Sequence, residues 1–532
     1  MKLAGTRHLL RLTFRRDRKL LPWILCLGIS PVVYAASFNA LYKTAAERAS
    51  FAHESASNGT LVALYGPLNG STLGDLATWR SYFLLVVIGL VSLLMVIRHT
   101  RVEEEQGRAE LLGAGVVGRQ ANVMAALIET YVANIMLCVF VAITLVARGL
   151  PFAGSLALGT EFMVVGWTFA SIGAVTAQLA TFASRARGLA ITALAAAYVL
   201  RIIGDLRARS HDSFSWVSWL SPIGLAQRIR PYSENAWWIA ILCVVIAFLV
   251  AAVAFTLSER RDLGAGILQP RPGPPSAAST LRNPLALAWR LQRGLLLSWV
   301  GGMALIGIVL GSVANSAGSL LGDSKDAHDL VTRLGGQTHL VDAYLATTMG
   351  IVALAVSACA MQSAMVIRNE ETRSRAEPLL ATAVSRSRWV GSHLLMTLGG
   401  STLIVITTGI TTGLTYGSNT GNLTHDSMRV LAAAVVQLPA IWALASLTFA
   451  AIGVAPRFTS IGWVALGLCL LTTMVGTAMQ WNHWVLDASP FSHITKLPGN
   501  EVKATPLVIL MVMTGVLTAI GFGGIRHRSI PS

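Results

Sequence analysis

Charge is scarce in this sequence: Asp, Glu, Lys and Arg make up 12% of its 532 residues, against about 25% in an ordinary soluble protein. So few charges cannot cover a water-facing surface of a chain this long. Cysteine is scarce too. The five, Cys26, Cys138, Cys243, Cys359 and Cys469, each lie inside an apolar run with no CxxC spacing, which argues against a disulfide framework or a thiolate metal site. The dipeptide Gly-Lys never occurs, so the chain lacks the G-x(4)-G-K-[ST] phosphate loop. No metal-ligand spacing and no nucleophile triad is visible. The sequence therefore offers no catalytic site and no cofactor site of its own.

What fills the sequence is apolar. Hydrophobic residues reach 54%, in uncharged stretches near the 20 residues that cross a roughly 30 Å hydrocarbon layer. Short alternating segments, the mark of a barrel, are missing. The fold class is all-α and polytopic, with twelve expected transmembrane helices. Six lie near 20–42, 81–98, 122–147, 158–182, 188–206 and 236–257; six more lie near 294–316, 342–367, 390–415, 429–453, 458–478 and 506–525. The net charge of +16 could suggest nucleic acid, but the charges flank the apolar runs. With the N-terminus inside, 27 of the 41 Lys and Arg fall on the cytoplasmic side, which places both termini in the cytoplasm.

One charged stretch occurs twice. "RVEEEQGRAELLGAGVVGR" (101–119) and "RNEETRSRAEPLLATAVSR" (368–386) agree at 10 of 19 positions and lie 267 residues apart. The likeness extends outward: 7–21 matches 282–296 at an offset of 275, and Arg261 faces Arg528. The chain thus reads as two parallel six-helix repeats, 1–261 and 281–532. They are joined by a Pro/Gly/Ser-rich linker over 262–280. Parallel repeats imply a central path between the halves.

The pattern E-x(6)-E-L-L-x-A-x-x-V-S-R after the second span resembles the permeases of type-2 ABC exporters. "EPLLATAVSR" (377–386) carries it best, while "VGR" (117–119) departs from it, and Val116 and Ala383 stand where the family has proline. The fused two-by-six layout and "RRDLGAG" (260–266) are most similar to the tetronasin-resistance-type branch. This resemblance implies cytoplasmic coupling helices that dock on two copies of a soluble ATPase, the subunit that binds ATP and Mg. The docking residues it implies are Glu103, Glu104, Arg108, Glu110 and Arg119, and in the second half Glu370, Glu371, Arg375, Glu377 and Arg386. It further implies a multi-pass protein of the plasma membrane that expels hydrophobic or amphiphilic compounds, such as antibiotics. The amphipathic starts, 7–19 and 282–293, resemble that family's elbow helices, or are simply the basic flanks of the spans; the "SP" segments at 221–222 and 489–490 resemble its short re-entrant helices, with an aromatic interfacial belt as the competing reading.

Two other classes remain in view. A secondary antiporter of the major-facilitator type also has two six-span halves, but its G-x(3)-D-x-x-G-R-(K/R) loop is absent. A lipid-modifying membrane enzyme needs a cluster of His, Asp or Glu, and none is visible in the linear sequence. Intramembrane polar residues are functional candidates. Glu129 could face the substrate path and attract cations, or pair with a neighbouring span; its repeat counterpart is Met396. Arg201 and Asp205 read as an i,i+4 ion pair, and His393 as a satisfied packing histidine.

Overall fold

The structure, a computed structural model, describes residues 3–17, 21–108, 117–209, 213–269, 273, 275–314, 340–473 and 482–528. The described residues are mainly helical, and the backbone contacts separate into two units, Met1–Gly273 and Pro274–Ser532. The division falls within the Pro/Gly/Ser-rich 262–280 segment.

In the first unit α1 (Thr6–Arg16) is short and amphipathic, with Leu9 and Thr13 buried four residues apart on one face. It is followed by α2 (Leu21–Leu41), α3 (Ala45–Ser57) and α4 (Gly59–Tyr65). Then comes α5 (Leu73–Ile97), whose start is fixed by a capping box between Thr72 and Asp75. α5 does not stop at Ile97. It runs on through a π-helical turn, Arg98–Val102, into Glu103–Glu105. Three long helices follow, α6 (Ala121–Val146), α7 (Phe152–Leu179) and α8 (Ala183–Arg209). The short α9 (Pro222–Gln227) then leads to α10 (Trp237–Glu259).

α7 is the centre of this unit, packed against α5, α6 and α10. Small residues make the approach possible. A Cβ on Gly159 would lie 2.5 Å from the Cys138 carbonyl oxygen of α6. Close backbone approach through small residues is how helices associate where lipid tails remove the usual hydrophobic drive.

In the second unit α11 (Pro284–Ala314) and α12 (Leu340–Thr372) precede the five-residue α13 (Ala376–Leu380). Next come α14 (Arg386–Thr420), α15 (Leu423–Val435) and α16 (Leu438–Val454). α17 (Ile461–Leu471), α18 (His483–Leu486) and α19 (Ala504–His527) complete it. α14 ends at Gly421, whose φ of 82° is left-handed, a backbone conformation glycine adopts without strain. α12, α14 and α16 pack on one another, and α16 also packs on α19. There a Cβ on Gly453 would lie 2.4 Å from the Gly521 carbonyl oxygen.

Among the described residues ten helices are long and apolar enough to cross a membrane. They coincide with ten of the twelve expected spans. The other two, 20–42 and 458–478, contain shorter apolar helices, Cys26–Leu41 and Pro456–Leu471; residues 474–478 of the latter lie outside the described residues. The two amphipathic starts also differ. The first is a separate helix capped by Asp17; the second begins α11 and runs unbroken into the long helix. Both "SP" segments cap helices: Ser221 Oγ accepts from Gly224 N at 3.1 Å, and Ser489 Oγ from Phe491 N at 3.3 Å.

Candidate functional site

Two contacts of the duplicated charged segment recur in both units, and the first unit adds others. In the first, Arg261 at the end of α10 donates to both oxygens of Glu104, Nη2 to Oε1 at 2.6 Å and Nη1 to Oε2 at 2.8 Å. Arg101 joins from one turn earlier, with Nη1 2.6 Å from Glu104 Oε2. It also donates to the Thr181 carbonyl at 2.8 and 2.6 Å. Arg261 Nε is held by Gln178 Oε1 at 2.7 Å, and Glu105 Oε2 accepts from Ala183 N at 3.0 Å. The far end of α5, the α7–α8 link and the end of α10 are thereby tied together by charged hydrogen bonds with little access to water. Such bonds are about twice as strong as neutral ones.

In the second unit Arg528 Nη2 donates to Glu371 Oε2 at 2.6 Å, and Arg368 Nη1 lies 3.5 Å from the same oxygen. The spacing between the paired residues is 157 in each unit. A second contact repeats as well. Arg119 donates to the Arg261 carbonyl, and Arg386 Nη1 to the Arg528 carbonyl at 2.9 Å.

The ten residues read from the sequence as docking groups therefore divide. Glu104 and Glu371 are turned inward onto Arg261 and Arg528. Glu103 is buried as well, 2.7 Å from Arg16 of α1. Glu370 is half-buried and lies 3.6 Å from Arg375. Arg108, Arg119, Arg375, Glu377 and Arg386 are exposed, and Glu110 lies outside the described residues. The inward set was not legible because its partners, Arg261 and Arg528, lie 157 residues away in sequence; in the first unit a π-turn after Ile97 also buries His99, Thr100 and Arg101 together. π-turns of this kind recur at functional sites.

That turn also builds a cluster the linear reading did not find. Asp17, His99 and Glu129 come from three separate elements, and their ligand atoms all lie within 4.8 Å of one another. His99 Nε2 is 2.6 Å from Asp17 Oδ2 and 3.6 Å from Glu129 Oε2. Arg98 Nη2 lies 3.2 Å from Asp17 Oδ1. Glu129 is 1% exposed, and neither of its oxygens has a hydrogen-bond partner among the described residues. Glu129 lines a cavity of about 220 Å³ between α1, α2, α5 and α6, and its nearest charged neighbour on another element is His99, at 3.6 Å.

The expectation that His, Asp and Glu do not cluster is thus corrected, because residues 17, 99 and 129 meet only through tertiary packing. One signal was available in the sequence: Asp17 is the first acidic residue of a strongly basic N-terminal segment. Glu161 of α7 was missed too. It is fully buried, and neither oxygen has a partner among the described residues.

The remaining candidates have partners of their own. Arg201 Nη1 lies 3.5 Å from Asp205 Oδ2, and Arg201 also donates to the Val62 and Leu64 carbonyls at 3.2 and 3.0 Å. His393 is buried with Nδ1 3.0 Å from Gln292 Nε2.

Comparison with known proteins agrees with these helices. Residues 281–526 match the family "Multidrug efflux system permease Rv1217c, C-terminal domain". Over 529 residues, 99% of this chain and 95% of the relative, the sequence is 38% identical to the multidrug efflux system permease protein Rv1217c of Mycobacterium tuberculosis. Identity of that level over nearly the whole length, on ten apolar helices long enough to cross a membrane, makes this chain a multi-pass membrane protein that belongs to the family of multidrug efflux system permeases.

Proposed function

We propose that this chain is the transmembrane permease of an ATP-driven ABC exporter, of the tetronasin-resistance-type branch. In this reading it supplies both halves of the pathway as twelve spans in two parallel repeats. It sits in the plasma membrane with both termini in the cytoplasm. Two copies of a separate soluble ATPase bind ATP and Mg, and the cargo is hydrophobic or amphiphilic.

The observation that carries the reading is the recurrence of one charged clasp, Glu104 with Arg261 and Glu371 with Arg528, at the start of the segments that resemble coupling helices. A docking helix transmits motion only if it is rigidly attached to the spans it moves. The clasp fastens each segment to the last long helix of its unit. The exposed Arg108, Arg119, Arg375, Glu377 and Arg386 are left to meet the ATPase, where complementary charge sets partner choice and association rate.

The absence of a Gly-Lys phosphate loop from the sequence supports assigning ATP hydrolysis to the partner. Purification of the full chain from its own host tests this. The expected result is copurification of a soluble ATPase and ATP turnover stimulated by exported compounds. Export by the isolated chain driven by a proton gradient alone would overturn it in favour of a secondary antiporter.

A further inference from the structure

The Asp17–His99–Glu129 cluster lies in the first unit, on the wall of a cavity whose other lining is mostly apolar, including Phe14, Leu27, Met95 and Leu137. Its hydrogen bonding leaves one group unspent. His99 Nε2, at 2.6 Å from Asp17 Oδ2, commits its proton to Asp17, and Arg98 offsets the Asp17 charge at 3.2 Å. Glu129, at 3.6 Å from the same nitrogen, is outside hydrogen-bond range. Thr13 of α1 lies beside it, but that hydroxyl donates to the Leu10 carbonyl at 3.0 Å; neither buried Glu129 oxygen has a hydrogen bond of full geometry among the described residues, and the residue lines the cavity. A buried carboxylate in this state is relieved by taking up a proton or by a cation that comes to it.

The equivalent place in the second unit is built differently. At the repeat offsets, Asp17, His99 and Glu129 correspond to Gln292, Val366 and Met396. Gln292 is fully buried and satisfied: it contacts His393 Nδ1 at 3.0 Å and accepts from Ser363, which lies 3.0 Å from Thr397 Oγ1. That network is neutral and complete. The carboxylate in the first unit is therefore not a requirement of the shared helix packing.

We infer that the cavity beside Glu129 binds the positive end of an organic cation with an apolar body, Glu129 supplying the counter-charge and the α1, α2, α5 and α6 side chains the apolar contact. This rests on the efflux reading for its physiological meaning. A resident metal fits less well. Two ligands on one tetrahedral zinc stand roughly 3.3 Å apart, whereas His99 Nε2 and Asp17 Oδ2 are at hydrogen-bond distance, 2.6 Å. His99 Nδ1 also has no partner among the described residues, while a metal-bound imidazole ordinarily donates from its second nitrogen.

The test uses the full chain in lipid nanodiscs, without ATPase. A fluorescent styrylpyridinium dye, a permanent cation, is compared with its neutral stilbene isostere. Wild type is expected to prefer the cation by about tenfold, the scale of one charge-assisted contact. Glu129→Gln should erase that preference while leaving stilbene affinity unchanged and the melting temperature no lower, and Glu129→Asp should retain most of it. Equal preference in wild type and Glu129→Gln overturns the inference. So does loss of both ligands together with a lower melting temperature in Glu129→Gln, which makes the carboxylate structural. Stoichiometric zinc binding that excludes the dye overturns it in favour of a metal site. Because the assay needs no export, its failure leaves the efflux reading intact, and failure of ATPase copurification leaves the binding result intact.

Discussion

Glu104 and Arg261 meet face to face, two nitrogens on two oxygens at 2.6 and 2.8 Å, with side chains only 6% and 7% exposed. This two-pronged geometry needs the planar guanidinium fork, which a lysine cannot reproduce. It joins the charged end of one long helix to the end of another 157 residues later.

Breaking that clasp from one side should be expensive. Arg261→Met leaves Glu104 buried with Arg101 alone and is expected to cost about 3–5 kcal/mol. The double variant Glu104→Gln with Arg261→Met should recover part of this, since the Glu104 charge is gone and Arg101, left without it, still donates to the Thr181 and Gly264 carbonyls. Thermal unfolding in detergent measures both. Equal destabilisation in the single and double variants would show that the contact is not coupled.

The exposed charges should behave in the opposite way. Reversing Arg375 and Glu377 to Glu and Lys, both exposed in the structure, should leave the melting temperature unchanged, because surface pairs contribute about 0–1 kcal/mol. ATPase pull-down and compound-stimulated hydrolysis should fall severalfold, with a changed salt dependence. Retained pull-down would remove this surface from the docking interface.

Close helix approach gives a third prediction. Gly159→Val places a Cβ 2.5 Å from the Cys138 carbonyl oxygen, whereas a Cβ on Gly301 has nothing within 4 Å. The first change is expected to destabilise by about 1–3 kcal/mol through overpacking, and Gly301→Val to be close to neutral. Parallel melting curves compare them.

A fourth concerns alkaline pH. Tyr232, in the segment between α9 and α10, has its phenol pushed up to about 12 by burial, although its contact with Ser155 acts in the opposite sense. Its folded-state value lies above the ordinary value near 10. The stability it confers is therefore complete below about pH 10 and lost as pH rises toward about 12. Tyr232→Phe should flatten the fall in melting temperature over that window. An unchanged slope would assign the alkaline loss to other groups.

The sequence by itself determined what depends on local composition. Long apolar runs require helices, because only intrahelical bonding satisfies the backbone where water is absent, and ten of them stand where the runs are. The repeated 101–119 and 368–386 segments and the Arg261/Arg528 correspondence were visible as text, since duplication preserves residue spacing. Which charges face inward was decided only in three dimensions. Glu104 looks like an exposed acid next to Glu105, yet Glu104 is committed to Arg261 and Glu105 to the start of α8. That choice depends on where α10 ends, which brings Arg261 to it, and the second unit repeats it with Arg528 after α19 meeting Glu371 of α12, a helix that has no π-turn. The Asp17–His99–Glu129 cluster is the stronger case. Its members come from the cap of α1, a π-turn and the interior of α6, and no spacing rule links positions 17, 99 and 129. Only the packing of those helices brings the three side chains together, and only burial turns Glu129 from one acidic letter in an apolar run into a carboxylate that needs a proton or a counter-charge.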